Sequence, residues 1–99
     1  MKQSFHKLRI PDSVVVLIRG MHPHIKKKMK ASLKTILSDP YSGKVLKDEL
    51  AGLRSFRVSK LRIVYRVAKE KYIDIIAIGP RTHIYDETFH IIKSEKEKI

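Results

Sequence analysis

The sequence predicts an α+β fold in which two N-terminal helices pack on one face of a small antiparallel β-sheet. Apolar residues recur at helical spacing from His24 to the stop "SDP" at 38–40, and lysines surround them. After Gly52, segments with strand-like alternation are separated by short polar breaks, which is typical of a meander of antiparallel strands. The pattern indicates an opening strand, a segment that can be a helix or a strand, a long helix and three strands, followed by a short C-terminal element.

Composition limits the class of protein. A length of 99 residues suits one domain, residues 1–99, with one modest core. The longest apolar run, "VVVLI", is too short to span a membrane, and the start "MKQSFHKLRI" lacks the core of a signal peptide. There are no cysteines, which excludes disulfides and thiolate metal sites. We therefore expect a cytoplasmic protein stabilised by packing.

The charge predicts a polyanionic partner. Lysine and arginine total 22 against 10 acidic residues, a formal net charge of +12. Clustered cations release condensed counterions when they bind phosphates, so nucleic acid is the first expectation and an acidic protein the second. An anionic membrane surface ranks third, because the basic helix uses its apolar face for the core. No cofactor is implied, and "HPH" at 22–24 lacks the carboxylate or cysteine that would complete a zinc site.

The N-terminal half is predicted element by element. Residues 4–10 alternate as an opening strand that Pro11 ends. Asp12 or Ser13 can cap a helix, although the β-branched run "VVV" after them favours a strand on propensity alone. The next helix begins at His24, and residues 41–52 form an irregular loop. The apolar face of that helix consists of Ile25, Met29, Leu33, Ile36 and Leu37.

The register of the meander follows from the pairing of apolar with apolar residues. A two-residue turn at 59–60 places Arg57 opposite Arg62 and Phe56 opposite Ile63. A second turn at Lys69-Glu70 places Ile63 opposite Ile76 and Arg62 opposite Ala77. The helix-facing side is then predicted to hold Phe56, Val58, Leu61, Ile63, Ile76 and Ile78. The opposite face is predicted to hold Arg57, Arg62, Ala77, Gly79 and Arg81.

The facing pair of Arg57 and Arg62 is the most informative feature of this sheet. Like charges at opposed cross-strand positions destabilise a sheet. Both side chains can spread into water, where the repulsion is screened. Alternatively, Arg81 joins them above the small residues Ala77 and Gly79, and the three guanidinium groups bind a phosphate or a carboxylate-rich peptide.

Cleavage of RNA fits such a site. A 2′-OH can attack the adjacent phosphodiester if a protein orients it, stabilises the added negative charge and protonates the leaving oxygen. His83 is the candidate for proton transfer, and the alternative is that it is a solvated loop residue. Tyr85 is the candidate for stacking on a base, and the alternative is that it anchors the core. Lys44, Lys47 and Lys60 are candidate phosphate contacts. The tail from Tyr85 is predicted as a short amphipathic helix or a last strand.

The segment "GLRSFRVSKLRIVYRV" at 52–67, the apolar strand after it and "GPRTHIY" at 79–85 resemble the RelE/ParE superfamily of bacterial and archaeal toxins. The resemblance covers nearly the whole chain. It implies a β-α-α-β-β-β fold similar to microbial RNases and an antitoxin that wraps around the toxin. For a RelE-type member it also implies cleavage of mRNA in the ribosomal A site by 2′-OH attack, without a metal.

The resemblance also assigns roles. Arg62 resembles the family arginine that steadies the scissile phosphate, Arg81 the second arginine near the leaving group, and Tyr85 the stacking aromatic residue. Arg57 and Ser59 stand where RelE has lysines, and Lys44 lies nearest to the glutamate of YoeB-like relatives. A histidine near the C-terminus of those relatives is comparable to His83.

Two other functions remain open at the level of sequence. ParE-type members share the fold, lack the cleavage residues and poison DNA gyrase. A basic RNA-binding module without catalysis would keep the arginines and would not depend on His83.

Overall fold

The computed structural model describes residues 6–97, which form a five-stranded sheet with helices on both faces. The opening strand predicted for residues 4–10 begins in residues outside this range. The strand order is β1-β5-β4-β3-β2. The elements are β1 (Lys7–Arg9), α1 (Asp12–Arg19), α2 (Pro23–Ser38), β2 (Lys44–Val45), β3 (Arg54–Val58), β4 (Leu61–Val67), β5 (Tyr72–Pro80) and α3 (Arg81–Glu97).

The α+β class is confirmed, and the sheet is mixed. β1 pairs in parallel with β5, with Leu8 opposite Ile73, while the other pairs of strands are antiparallel. The last strand in the sequence therefore lies inside the sheet, between β1 and β4.

The two N-terminal helices pack on one face, as predicted. Residues 12–19 form a helix despite the valine run, because Val14 and Ile18, one turn apart, are buried against the sheet. Neither predicted cap residue bonds the helix end: α1 follows Pro11 without a side-chain cap. α2 begins at Pro23 and buries Met29, Leu33 and Ile36.

The predicted register of β3 and β4 is confirmed. Val58 pairs with Leu61, Arg57 with Arg62 and Phe56 with Ile63, so residues 59–60 form a two-residue turn. Ser59 adopts a left-handed conformation there, with φ of 57°.

The predicted register of β4 and β5 is wrong by two residues. Arg62 pairs with Gly79 rather than Ala77, and Ile63 pairs with Ile78 rather than Ile76. The connection is longer than a two-residue turn: Val67 pairs with Ile73, and Glu70 and Lys71 both have positive φ. A shift of two residues keeps each side chain on its predicted face.

A bulge between Val64 and Tyr65 in the β4–β5 ladder moves Ile76 to the other face. The sequence predicted Ile76 among the helix-facing residues. Instead it packs with Leu53, Val64, Ala77 and Ile84, while Tyr65 and Ile75 join the core under α1 and α2.

The second face of the sheet is largely covered by α3, which replaces the predicted open face. Ile84 is fully buried there, and Ile91 and Ile92 pack against the same cluster. The predicted alternatives for the tail are settled in favour of a helix, which begins at Arg81, immediately after the strand ends at Pro80. Gly79 makes this close approach possible, because a Cβ there would lie 3.3 Å from Ile84 Cδ1.

Residues 41–52 are more ordered than the predicted irregular loop. Lys44 and Val45 form a short edge strand paired with Ser55 and Arg54, and a one-turn 3-10 helix (Asp48–Leu50) follows. The buried Tyr65 hydroxyl fixes the backbone that precedes this strand, because it donates to the Pro40 carbonyl at 2.8 Å and accepts from the Gly43 N–H at 2.9 Å.

Candidate functional site

Four cationic side chains meet in one cleft where β3 turns into β4 and β5 runs into α3. The cleft has a volume of about 120 Å³ and is lined by Arg57, Ser59, Lys60, Arg62 and Arg81. The register explains the convergence: Arg57 opposes Arg62, and Arg62 opposes Gly79, two residues before Arg81. We call it the arginine cleft. The sequence predicted that its three arginines share a face, and the structure brings them together.

Within the described part of the chain, the three arginines of the cleft lack acidic partners. Among residues 6–97, no carboxylate forms an ion pair with Arg57, Arg62 or Arg81. Arg57 Nε donates to the Ser59 carbonyl at 3.3 Å, which orients its side chain within the turn.

Other arginines of the sheet are engaged in the fold. Arg9 and Arg66 share the carboxylate of Asp74, with Arg9 Nη2 to Asp74 Oδ2 at 3.0 Å and Arg66 Nη2 to the same oxygen at 3.4 Å. The hydrogen bond to Asp74 raises the pKa of Arg9. Arg54 donates to the carbonyl oxygens of Tyr41 and Gly43. The contrast distinguishes arginines that hold the structure together from arginines available to a ligand.

The start of α3 adds to the positive potential of the arginine cleft. Arg81 is the first residue of this helix, and no acidic residue lies in its first turn. The first N–H groups of a helix have no partner within the helix, and the helix dipole is positive at this end. An anion in the cleft would interact with the guanidinium groups and with this end of the helix.

Tyr85 lies one helical turn after Arg81 and is anchored to β3. Its hydroxyl is 3.1 Å from Ser55 Oγ, and Ser55 is buried. Ser55 and Arg57 lie on the same face of β3, because side chains two apart in a strand point the same way. Tyr85 thus lies on the same face of the sheet as the cleft, although it does not line it, and its half-buried ring packs against the apolar cluster under α3. Ser55 was not identified from the sequence. The only signal for it there is a serine within a strand whose other residues are apolar or basic.

The other predicted site residues lie outside the cleft. His83 is exposed, and it is two residues from Arg81 on a helix, a spacing at which side chains do not face each other. Lys44 and Lys47 are exposed, at and just after the edge strand β2. Lys44 opposes Ser55, so it shares the face of Tyr85 and extends the basic surface along it.

No group of three His, Cys, Asp or Glu side chains in residues 6–97 is arranged to hold a metal ion. Within the same range, no helix has the length and apolar content needed to cross a membrane.

The chain is similar to solved structures of RelE toxins. It matches the RelBE toxin-antitoxin complex from Mycobacterium tuberculosis with 26% identity and a TM-score of 0.66, covering 77% of this chain and 98% of that one. A variant of Escherichia coli RelE with two arginine-to-alanine substitutions matches with 20% identity and a TM-score of 0.68, covering 90% and 96%.

An archaeal relative matches as well. The RelE-RelB complex from Pyrococcus horikoshii has 23% identity and a TM-score of 0.64, and the match covers 77% of this chain and 94% of that one. These likenesses establish a RelE-like fold.

The family comparison covers most of the sequence. No curated protein matches the chain at a significant level. The model of the ParE toxin of the type II toxin-antitoxin system parDE matches residues 9–85, which include every residue of the arginine cleft. The chain therefore belongs to the ParE toxin family within the RelE/ParE superfamily, and it is a toxin of a type II toxin-antitoxin system with a RelE-like fold.

Proposed function

We propose that this toxin, acting as a single domain in the cytoplasm, is a metal-independent endoribonuclease that cleaves mRNA on the ribosome and so inhibits translation. The observation that carries the proposal is the arginine cleft, in which Arg57, Arg62 and Arg81 converge without a carboxylate partner in residues 6–97. Guanidinium groups bind phosphate through paired hydrogen bonds and remain charged at any physiological pH.

The chemistry follows from the substrate. The 2′-oxygen of the RNA forms a bond to the adjacent phosphorus, the bond from phosphorus to the 5′-oxygen breaks, and a proton moves from the 2′-OH to a base while an acid protonates the 5′-oxygen. The products are a 2′,3′-cyclic phosphate and a 5′-hydroxyl. The three arginines stabilise the charge that develops on the phosphate.

Proton transfer is assigned to Lys60 rather than to His83. Lys60 lines the arginine cleft and His83 does not. Among the side chains of the cleft, an amine suits proton transfer better than a guanidinium, which stays charged in proteins. Tyr85, held by Ser55, provides a ring on which a base can stack.

The proposed partner is an acidic antitoxin. Related toxins from Mycobacterium tuberculosis and Pyrococcus horikoshii were solved in complex with their antitoxins. A formal net charge of +12 favours an acidic partner by electrostatic attraction, and binding of such a partner over the arginine cleft would exclude RNA.

A second candidate function is poisoning of DNA gyrase. The matching family model is that of ParE toxins, and the lysines of RelE are replaced here by Arg57 and Ser59. In this alternative, the arginine cleft contacts an acidic surface of a protein rather than RNA.

Induction of the toxin in bacteria distinguishes the two functions. If the toxin is a ribosome-dependent nuclease, translation stops and mapping of RNA ends shows cuts within translated reading frames. A gyrase poison would leave mRNA intact and would produce gyrase-linked DNA breaks. That second pattern would exclude the endoribonuclease.

Substitutions connect the activity to the site. Arg62→Ala and Arg81→Ala should each abolish cleavage and growth arrest while the thermal unfolding temperature stays within a few degrees of the parent, since neither side chain has an ion pair in residues 6–97. Arg19→Ala is the matched control, because Arg19 is an exposed arginine at the end of α1, away from the cleft. Retained cleavage in both cleft variants would show that the arginines are only surface charge.

A further inference from the structure

Helix α2 carries charge of one sign only. Its 16 residues include five lysines and no acidic residue. Four of the lysines are exposed, and three of these follow one another at spacings of three and four residues, which places them on one face of the helix. We call this face the lysine stripe, and it consists of Lys27, Lys30 and Lys34. Since each residue of a helix adds about 1.5 Å, the stripe is about 10 Å long.

The charges of the lysine stripe are not balanced within the described part of the chain. No ion pair among residues 6–97 includes a residue of α2. Lys30 is three residues from Lys27 and four from Lys34, and like charges at these spacings destabilise a helix. The helix dipole favours cations in the last turn, but the last turn of α2 contains no basic residue. The lysines therefore weaken α2 in the free protein.

Exposure to water alone does not explain the lysine stripe. A helix that only faces water usually mixes acidic and basic residues, which stabilise each other at these spacings. The helix α3 is of this kind, because its exposed residues include Asp86, Glu87, Lys93, Glu95 and Lys96. The uniform positive charge of α2 instead indicates a ligand of opposite charge, which offsets the repulsion between the lysines.

The lysine stripe and the arginine cleft belong to opposite faces of the sheet. Leu33 of α2 packs in the same core cluster as Ile63 of β4. Arg62 of the cleft is next to Ile63 in this strand, so its side chain points to the other face. The sheet and the core under α2 therefore separate the two basic surfaces. A ligand of the stripe is a second ligand, distinct from the group bound in the cleft.

We propose that the lysine stripe binds the phosphate backbone of a nucleic-acid duplex, without regard to base sequence. A duplex carries one negative charge per about 1.7 Å of its axis, so a stripe of this length lies beside several phosphates. Lysine is a flexible point charge that contacts phosphates without selecting a base. The RNA duplexes of a ribosome and the DNA duplex bound by gyrase offer the same phosphate chemistry. The stripe therefore fits either of the two candidate functions.

An acidic protein is the competing ligand of the lysine stripe. Protein interfaces are enriched in aromatic residues, methionine and arginine and depleted in lysine, whereas interfaces with nucleic acid are more polar and more positively charged. None of the large apolar side chains that are exposed in residues 6–97 lies on α2. The exposed residues beside the stripe are small or polar, namely Ala31, Thr35 and Ser38. This composition favours nucleic acid over a protein.

Fluorescence anisotropy with labelled duplexes of about 16 base pairs, at several salt concentrations, tests this site. RNA and DNA duplexes of one sequence are the probes, and duplexes of a second sequence should bind equally well. The triple variant Lys27→Gln/Lys30→Gln/Lys34→Gln should bind at least about tenfold more weakly at low salt. Its slope of log K against log salt concentration should be smaller by about 2–3, because each phosphate contact contributes about 0.9.

A second triple variant, Lys69→Gln/Lys93→Gln/Lys96→Gln, is the matched control. These lysines are exposed, lie outside α2 and carry the same total charge. The control should retain the parental slope. The stripe variant should unfold at the parental temperature or above it, because repulsion within α2 is removed, and weaker binding is then not a result of unfolding. Tighter binding of the RNA duplex would identify a ribosomal source of the ligand, and tighter binding of the DNA duplex would identify gyrase-bound DNA.

The same measurements can overturn the duplex site. Absence of duplex binding by the parent, an unchanged slope in the stripe variant, or equal losses in the two triple variants would each exclude it. Retained duplex binding with weaker binding of the antitoxin would assign the lysine stripe to a protein instead. Arg62→Ala should bind duplexes with the parental slope, because its side chain lies on the other face. Loss of RNA cleavage in that variant therefore reports on the arginine cleft alone.

Discussion

Arg57 lies directly opposite Arg62 across the β3–β4 ladder, and no carboxylate among residues 6–97 pairs with either guanidinium. Opposed like charges destabilise an antiparallel pair by about 0.2–1 kcal/mol. A pair of this kind costs stability in the free protein, and an anion bound between the two side chains offsets that cost.

Arg57→Gln should separate stability from function. We expect the free energy of unfolding to stay the same or to rise by up to about 1 kcal/mol in urea, because the repulsion is removed. Affinity for a non-cleavable RNA should fall by about 10-fold or more, the effect of losing a hydrogen bond to a charged group. A variant that is less stable and binds RNA normally would contradict this assignment.

Lys60→Arg tests proton transfer in the arginine cleft. The substitution preserves the positive charge but introduces a group that does not lose its proton in proteins. We expect RNA binding to persist and cleavage by the ribosome-bound toxin to fall by about 100-fold or more, the usual contribution of a general acid or base. His83→Ala is the control and should cleave at the parental rate; the reverse pattern would assign proton transfer to His83.

Tyr85→Phe tests whether the ring or the hydroxyl of Tyr85 matters. The hydroxyl is already bonded to Ser55 Oγ at 3.1 Å. We therefore expect Tyr85→Phe to cleave RNA normally and to lose about 0.5–1.5 kcal/mol of unfolding free energy, the value of one hydrogen bond. Tyr85→Ala should lose cleavage through loss of stacking. Equal loss of cleavage in both variants would give the hydroxyl a direct role.

Asp74→Asn should destabilise the protein without affecting the arginine cleft. The side chain of Asp74 is only 16% exposed and accepts from both Arg9 and Arg66. Removal of its charge should lower the free energy of unfolding measured by chemical denaturation, and by less in high salt, which screens the parent interaction. RNA cleavage at a temperature well below unfolding should be unchanged, since Asp74 does not line the cleft.

Gly43→Ala should be among the most damaging small substitutions. A Cβ at Gly43 would lie 2.6 Å from the Tyr65 hydroxyl and 3.1 Å from the Ser55 carbonyl, so the buried hydrogen bond of Tyr65 must shift. We expect a loss of about 1–3 kcal/mol. Gly20→Ala is the matched control: its nearest neighbours would be 3.7 Å away, and it should be neutral or slightly stabilising in the same assay.

The sequence was sufficient to predict the pairing of strands joined by a short turn. It was insufficient where a strand departs from the regular alternation of side chains between the two faces. The β3–β4 register followed from apolar residues on both sides of a two-residue turn at 59–60. The β4–β5 register did not, because every residue of "IIAI" is apolar and a bulge beside Tyr65 leaves no mark in such a run. Glu70 and Lys71 adopt positive φ, which residues of those types rarely do, so the longer connection was equally hidden.

The same limits apply to the site. The shared face of Arg57 and Arg62 was predictable from parity, and Gly79 keeps its face because an error of two residues preserves it. Arg81 reaches the cleft as the first residue of α3. The positions of His83 and Tyr85 depend on α3 beginning at Arg81. A strand that ends in Gly-Pro gives no sign in the sequence that a helix starts at the next residue. The alternate spacing of Arg81, His83 and Tyr85 therefore suggested a common face, which the helix does not provide.

The place of β5 in the sheet determines when a newly made chain becomes able to bind an anion. β5 is the last strand to be synthesised, yet it lies between β1 and β4, and its pairing with β1 joins Leu8 to Ile73. The arginine cleft depends on the other neighbour of β5, since Arg62 of β4 pairs with Gly79. Arg81 reaches Arg57 and Arg62 only after β5 has been made and has paired with β4. A ribosome that makes the protein therefore carries a chain without an assembled arginine cleft, which leaves an interval for a partner to bind first.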